Sequence, residues 1–227
     1  MTLRYMSMAR MPRLVVPGYP HHVTQRGSRR MKTFFRDEDY SAYLELLAKG
    51  KTAAGVAIWG YCLMPNHVHL VVVPEQKESL AMLFRVLHRQ YARRINFRED
   101  WHGHLWQERF HSFVMDEHHL LATVRYTELN PVRGRLCARP TDWQWSSARA
   151  HIVGRDDHVV SVEPMLKRVP DWSTYLAQDT PDEENNRIRR SAATGRPVGN
   201  EQFVQRLELM TGRTLRKKKP GPKPAIK

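Results

Sequence analysis

Residues 67 to 73 read His-Val-His-Leu-Val-Val-Val, and no other stretch constrains the fold of this chain as tightly. A run so rich in β-branched residues favours extended backbone. A second β-rich run, Val56 to Leu63, precedes it across Met64-Pro65-Asn66, whose turn-forming residues predict a tight hairpin. Side chains alternate along a strand, so His67 and His69 share one face, a few Å apart. Polar rings in so apolar a strand are costly without partners, which leaves two readings: ordinary hydrogen bonding, or a joint grip on one divalent cation.

The elements around the hairpin follow from periodicity. Asp37 to Lys49 carries Tyr40, Tyr43, Leu44, Leu47 and Ala48 at the spacing of an amphipathic helix, with Gly50 as its expected stop. Ser79 to about Phe97 repeats the pattern with Leu80, Leu83, Phe84, Leu87 and Tyr91. Leu14–Val16 and His22–Gln25 predict an N-terminal strand region interrupted by Pro17, Gly18 and Pro20, and Arg109–Met115 predicts a short last strand. Asp116 then caps a helix running to about Asn130, where Pro131 and Gly134 end it. The order β-α-β-β-α-β plus a helix is the split βαβ pattern of a ferredoxin-like core, an α+β fold with an antiparallel sheet. Its helices cover one sheet face and leave the other for the last helix and a ligand.

Beyond the aromatic and polar stretch 141–150, Pro164, Pro170, Pro181 and Pro197 separate short helices. Arg213 to Lys227 holds seven basic residues, three prolines and no acid, the composition of a disordered tail. The expected division is a principal domain over 1–151, a helical accessory region over 152–212 and a basic tail over 213–227.

Charge narrows the partners. With 37 Lys+Arg against 23 Asp+Glu the formal net charge is +14, and many arginines lie in the folded-looking part, where a planar guanidinium suits phosphate. The basic residues do not line one amphipathic helix, which favours nucleic acid over an anionic lipid surface. No apolar run is long enough to span a bilayer, and the N-terminal stretch lacks a signal-peptide core, so no membrane association is expected. Cys62 and Cys137 are isolated, in keeping with a reducing cytoplasm. No HExxH and no GxxxxGK[ST] occurs, which removes zinc-protease and P-loop readings.

Tyr126 and Asn130 lie four apart on the predicted helix, on one face with His119 and Thr123. An amide oxygen can serve a hard cation such as Mg²⁺ or Mn²⁺ and a phenol can be a nucleophile, whereas a core tyrosine and a helix-ending asparagine are the plainer reading. His102 and His104 flank Gly103 in a loop that enforces no geometry, so packing or hydrogen bonding is expected of them.

Five blocks in order resemble the single-tyrosine (HUH) transposase family, in its REP-associated tyrosine transposase branch. They are Pro-Gly-Tyr-Pro-His-His-Val-Thr-Gln-Arg-Gly at 17–27, Tyr-Cys-Leu-Met-Pro-Asn-His-Val-His-Leu-Val at 61–71, Gly-His-Leu-Trp-Gln-Glu-Arg-Phe at 103–110, Tyr-Thr-Glu-Leu-Asn-Pro-Val-Arg-Gly at 126–134 and Asp-Trp-Gln-Trp-Ser-Ser at 142–147. The resemblance spans about residues 12–151. It implies a ferredoxin-like core, His67 and His69 as the metal-binding pair, Tyr126 as nucleophile, and Asn130 completing the metal site where insertion-sequence relatives often carry glutamine. It further implies an Mg²⁺- or Mn²⁺-dependent endonuclease and strand transferase that cuts hairpin-forming palindromic repeats in single-stranded DNA through a 5′-phosphotyrosyl intermediate.

Residues expected to contact DNA are His22, Gln25, Arg26, Arg29, Arg30, Arg89, Arg93, Arg109 and Arg133, with His21 beside them. Aromatic and arginine side chains suit unpaired bases and backbone phosphates. Two alternatives stay open: a non-catalytic hairpin-binding regulator on the same fold, and a hydrolase in which water attacks. The expected setting is the bacterial cytoplasm at the nucleoid, with a monomer favoured over a homodimer.

Overall fold

The hairpin organises the whole sheet. In the computed structural model, which describes residues 12–178 and 181–216, strands β2 (Val56–Met64) and β3 (His67–Pro74) pair antiparallel around the Pro65-Asn66 turn. Strand β1 (His21–Arg26) pairs antiparallel with the other edge of β3 and also with β4 (His111–Val114), giving the order β2-β3-β1-β4. Helices α1 (Asp37–Ala53) and α2 (Ser79–Glu99) connect the strands as crossovers. This is the split βαβ, ferredoxin-like arrangement.

Alternation sorts each strand between two cores. Val23, Ile58, Val68, Leu70 and Val72 face α1 and α2 and join Tyr43, Leu47, Leu83, Phe84, Leu87 and Tyr91 in a dry cluster. The fully buried Asp39 side chain, near the start of α1, accepts from the Phe35 and Arg36 amides and pairs with Arg98 near the end of α2, tying the two helices together. Gly50 does not stop α1, which runs on to Ala53. A Cβ at Gly50 would stand 2.8 Å from Leu83 Cδ1, so the glycine serves the close α1–α2 approach.

The opposite face carries α3 (Glu117–Glu128), capped by the Asp116 side chain on the His119 amide at 3.0 Å. Leu120, Val124 and Tyr126 pack there with Val71, Phe113 and Met115. The helix ends two residues before Asn130, because Pro131 has no N–H to offer the Thr127 carbonyl; Asn130 Nδ2 donates to that oxygen instead, at 3.3 Å. One further turn, α4 (Asn130–Arg133), follows.

Leu14–Val16 is not a strand. Leu14 and Val16 are buried against Val114, Phe203, Leu207 and Leu215, and the Val16 amide donates to His21 Nε2 at 3.1 Å. Strand β4 is shorter than the expected 109–115.

The C-terminal region is helical: α5 (Ala148–Val153), α6 (Glu163–Leu166), α7 (Trp172–Ala177), α8 (Asp182–Thr194) and α9 (Glu201–Thr211). It packs on the sheet and shares its cores. Val159, Val160 and Val162 enter the first cluster, while Met165, Trp172, Leu176, Ile188 and Val198 enter the second. The basic segment also begins packed, a correction to a tail free from 213 onward. Leu215 is buried, its amide donates to Glu208 at 2.7 Å, and Arg213 donates to the carbonyls of Pro12 and Arg13. Lys217–Lys227, the rest of the expected tail, lies outside the described residues.

Candidate active site

The sheet register places the two histidines. His67 stands opposite Arg26 of β1 and Met64 of β2, and His69 opposite Thr24 and Cys62. Their rings meet edge to face at 4.9 Å between centroids. Asn66 Oδ1 accepts from His67 Nδ1 at 2.6 Å while Asn66 Nδ2 donates to the Arg30 carbonyl at 3.0 Å, so the amide is fixed from both ends and His67 keeps its Nε2 lone pair. His69 Nδ1 lies 3.0 Å from His22 Nε2, with the two rings stacked at 5.2 Å.

Burial is the main cause that lowers the pKa of each of the three: His22 to about 3, His67 to about 4 with help from Arg26, and His69 well below the usual value with further contributions from His67, His22, Arg133 and Arg26. All three are neutral near pH 7, the form in which imidazole coordinates a cation. Among the described residues no group of three or more His, Cys, Asp or Glu is arranged to hold a metal ion, so an ion here would need His67 and His69 together with an oxygen donor. Two imidazoles with one oxygen suit a borderline divalent cation such as Mn²⁺ better than an all-oxygen ion such as Mg²⁺, and leave positions for phosphate oxygens.

Glycine lets the tyrosine helix come down onto this face. A Cβ on Gly60 of β2 would stand 3.1 Å from Cγ1 of Val124, the residue two before Tyr126, so β2 and α3 are in close contact there. The end of α3 is held from the other side by Glu128, two residues after Tyr126. Glu128 is fully buried, and its carboxylate accepts from Ser147 Oγ at 2.5 Å, His151 Nδ1 at 2.6 Å and Trp172 Nε1 at 2.7 Å. Those three donors anchor the helix to α5 and α7.

The Tyr126 ring stands edge-on to His69 at 5.8 Å and to His22 at 6.3 Å. Its hydroxyl makes no hydrogen bond among the described residues. Arg133 lies over the ring, with Cζ 4.1 Å from the centroid, and donates to the Tyr126 carbonyl and, at 3.1 Å, to Asn130 Oδ1. Arg133 therefore braces the tyrosine instead of lying free for DNA. Asn130 is buried one turn beyond Tyr126 and does not line the cleft in front of the histidines; Oδ1 keeps one lone pair beyond the Arg133 bond.

That cleft, about 350 Å³, is lined by Arg26, Arg30, His67, His69 and Tyr126, with Arg189 and Ala192 of α8 on its far side. No acidic residue lines it among the described residues. A groove of about 1090 Å³ adjoins it through Gln107 and His111 and contains Arg29 and Arg109. Arg89 and Arg109 border a third hollow, about 570 Å³, with Phe84, His88, Trp106 and Phe110 in its wall. Arg93 is exposed on α2 and lines none of the three.

His21 is corrected as a DNA contact by its burial, whereas His22 is buried yet borders the cleft. His21 is bound within its own turn, Nδ1 donating to the Tyr19 carbonyl at 2.8 Å, and His22 supports His69. Gln25 is also buried, its amide donating to the Gln107 carbonyl at 2.9 Å, though it borders the cleft. His102 and His104 are exposed, and the bonds of their loop run through the Gly103 and His104 carbonyls. Periodicity missed Arg189 and Glu128: the first is brought in by a helix far along the chain, and the second lies off the stripe that Tyr126 and Asn130 define.

A family model described as "Transposase IS200 like" matches residues 16–130, just over half of the chain, and the chain belongs to that family. Among solved structures, a REP-associated tyrosine transposase bound to a REP hairpin aligns with a TM-score of 0.56 at 19% identity, covering 68% of this chain and 92% of that one; the two share a fold. A putative transposase from Deinococcus radiodurans overlaps more loosely, with a TM-score of 0.37 at 21% identity over 48% of this chain and 88% of that one. No curated protein matches the chain in sequence. No helix among the described residues is long and apolar enough to cross a membrane.

Proposed function

We propose that the chain is a metal-dependent endonuclease and strand transferase acting on single-stranded DNA that folds into palindromic hairpins. The observation that carries this reading is the Tyr126 ring set against the His67–His69 pair in a cleft lined by arginines and no acid. The hairpin substrate is supported by the solved relative, which is bound to one.

His67 and His69 would hold the ion through their Nε2 atoms, with an oxygen donor still needed; Asn130, expected for that place from the sequence, does not line the cleft and its Oδ1 accepts from Arg133. When bound, Mg²⁺ or Mn²⁺ supplies Lewis-acid polarisation and orientation of the scissile phosphate. Arg26 and Arg30 draw the phosphate into the cleft and neutralise its charge. Tyr126 Oη attacks phosphorus and gives up its proton to solvent. The new O–P bond replaces the bond to the 3′ oxygen, which leaves and takes a proton as a 3′-hydroxyl. Because the phosphodiester energy is kept in the tyrosyl link, a 3′-hydroxyl can attack in turn and rejoin strands. The Glu128 anchor holds the tyrosine helix on its own chain's sheet, which supports a monomer working with Tyr126 in cis.

The test is incubation of labelled hairpin DNA with the protein and Mn²⁺, followed by denaturing electrophoresis. The parent should give a protein–DNA adduct that a chelator prevents, and Tyr126→Phe should give none while binding the hairpin within a few fold of the parent. Cutting without an adduct would identify water as the attacking group, and binding without cutting would identify a hairpin-binding regulator.

A further inference from the structure

The far wall of the cleft comes from outside the stretch that the family model matches. Helix α8 lies across the open sheet face and is held at three places. Glu184 pairs with Arg125 of α3 at 3.1 Å, Arg187 donates to His119 Nε2 at 2.7 Å, and the Ala192 carbonyl lies 3.2 Å from His111 Nδ1 of β4. Ile188 is buried in the same cluster as Tyr126. This docking fixes which side of α8 meets the cleft: Ile188, Arg189, Ala192 and Ala193. Arg189 is the one long cationic side chain among them, and the two alanines keep the neighbouring helix surface low.

Arg189 is exposed, and its hydrogen bond is to Asn186 Oδ1 at 3.2 Å, a neutral acceptor on its own helix. Arg26 and Arg30 line the same cleft, and none of the three arginines forms an ion pair among the described residues. Like charges gathered around a hollow without acids repel one another, and an anion entering it relieves that repulsion.

We propose that Arg189 contacts a backbone phosphate of the single strand next to Tyr126, so that α8 completes the DNA-binding cleft. The inference rests on the cleft receiving single-stranded DNA, as proposed above, and adds that the C-terminal helix is part of the site.

The experiment measures binding in a Tyr126→Phe background, where nothing is cut. Two probes are compared over a range of salt concentrations: a palindromic hairpin with single-stranded flanks and the same hairpin without them. Arg189→Ala should weaken binding of the flanked probe by roughly five- to tenfold and reduce the slope of log affinity against log salt by about 0.7, the share of one phosphate on a single strand. The unflanked hairpin should bind as before, and Arg189→Lys should keep the slope. Thermal stability of Arg189→Ala should be unchanged or slightly higher, since a repulsive charge is removed. Equal affinity for the flanked probe with and without Arg189 overturns the inference, as does an equal loss on both probes. If the parent does not distinguish the two probes, no single strand occupies the cleft, and the proposed function falls together with the role of Arg189.

Discussion

Next to the β2–β3 turn, the two faces of the sheet are built to opposite rules. Toward α1 and α2, strand β3 presents Val68, Leu70 and Val72 to a dry aromatic and aliphatic core. Toward α3, the same strand presents His67 and His69, with His22 from β1 behind them and Arg26 beside them. A strand with period two can commit alternate residues to stability and to chemistry, and β3 does so over residues 67–70, before Val71 joins the apolar cluster under α3.

Substitutions at adjacent positions sharpen this contrast. His69→Ala should lose metal-dependent cleavage, at a stability cost of about 1 to 3 kcal/mol for the buried His22 nitrogen it leaves without a partner. Leu70→Ala, one residue away on the other face, should cost about 2 to 5 kcal/mol of stability while the folded fraction still cleaves. Replacing His102 and His104 together should change neither property by much. Cleavage retained in His69→Ala would break the division of labour between the two faces.

Where the faces are tied to the C-terminal region, the expected effect on cleavage is smaller and the effect on stability at least as large. Glu128→Ala leaves the Ser147, His151 and Trp172 donors without their buried acceptor, at about 1 to 3 kcal/mol for each group left unsatisfied. It should also slow adduct formation at saturating DNA, because Tyr126 lies two residues away on the same helix. Glu128→Gln, which keeps one acceptor oxygen, should fall between the two in both melting temperature and adduct rate.

The smallest effects belong to the basic end of the chain. Removing residues 217–227 takes away five lysines and should flatten the salt dependence of binding while leaving cleavage of a saturating hairpin intact. Removing everything after Gly212 also takes away the buried Leu215, at about 1.5 to 3 kcal/mol. Equal melting temperatures for the two truncations would contradict the packing of 213–216.

What could be read from the sequence was local. The hairpin, the order of strands and helices, and the common face of His67 and His69 follow from alternation and turn residues within short windows. Tyr126 was legible through the motif it opens. The support His22 gives His69 was not legible, because its burial depends on pairing across β1, β3 and β4, which no short window contains. Arg189 comes from a helix whose docking on the sheet depends on contacts with α3 and β4. Gly50 looked like a helix stop because the side chain that requires it, Leu83, belongs to the next helix, beyond the whole β2–β3 hairpin.

The central claim is that Tyr126 takes the 5′ phosphate of a cut strand. The most direct measurement labels the same hairpin strand at either end, incubates each with protein and Mn²⁺, and separates the products under denaturing conditions. The account predicts that the 3′ label travels with the protein, that the 5′ label appears on a free fragment ending in a 3′-hydroxyl that a polymerase extends, and that Tyr126→Phe gives neither product. A 5′ label on the protein, or an adduct that persists in Tyr126→Phe, would contradict it.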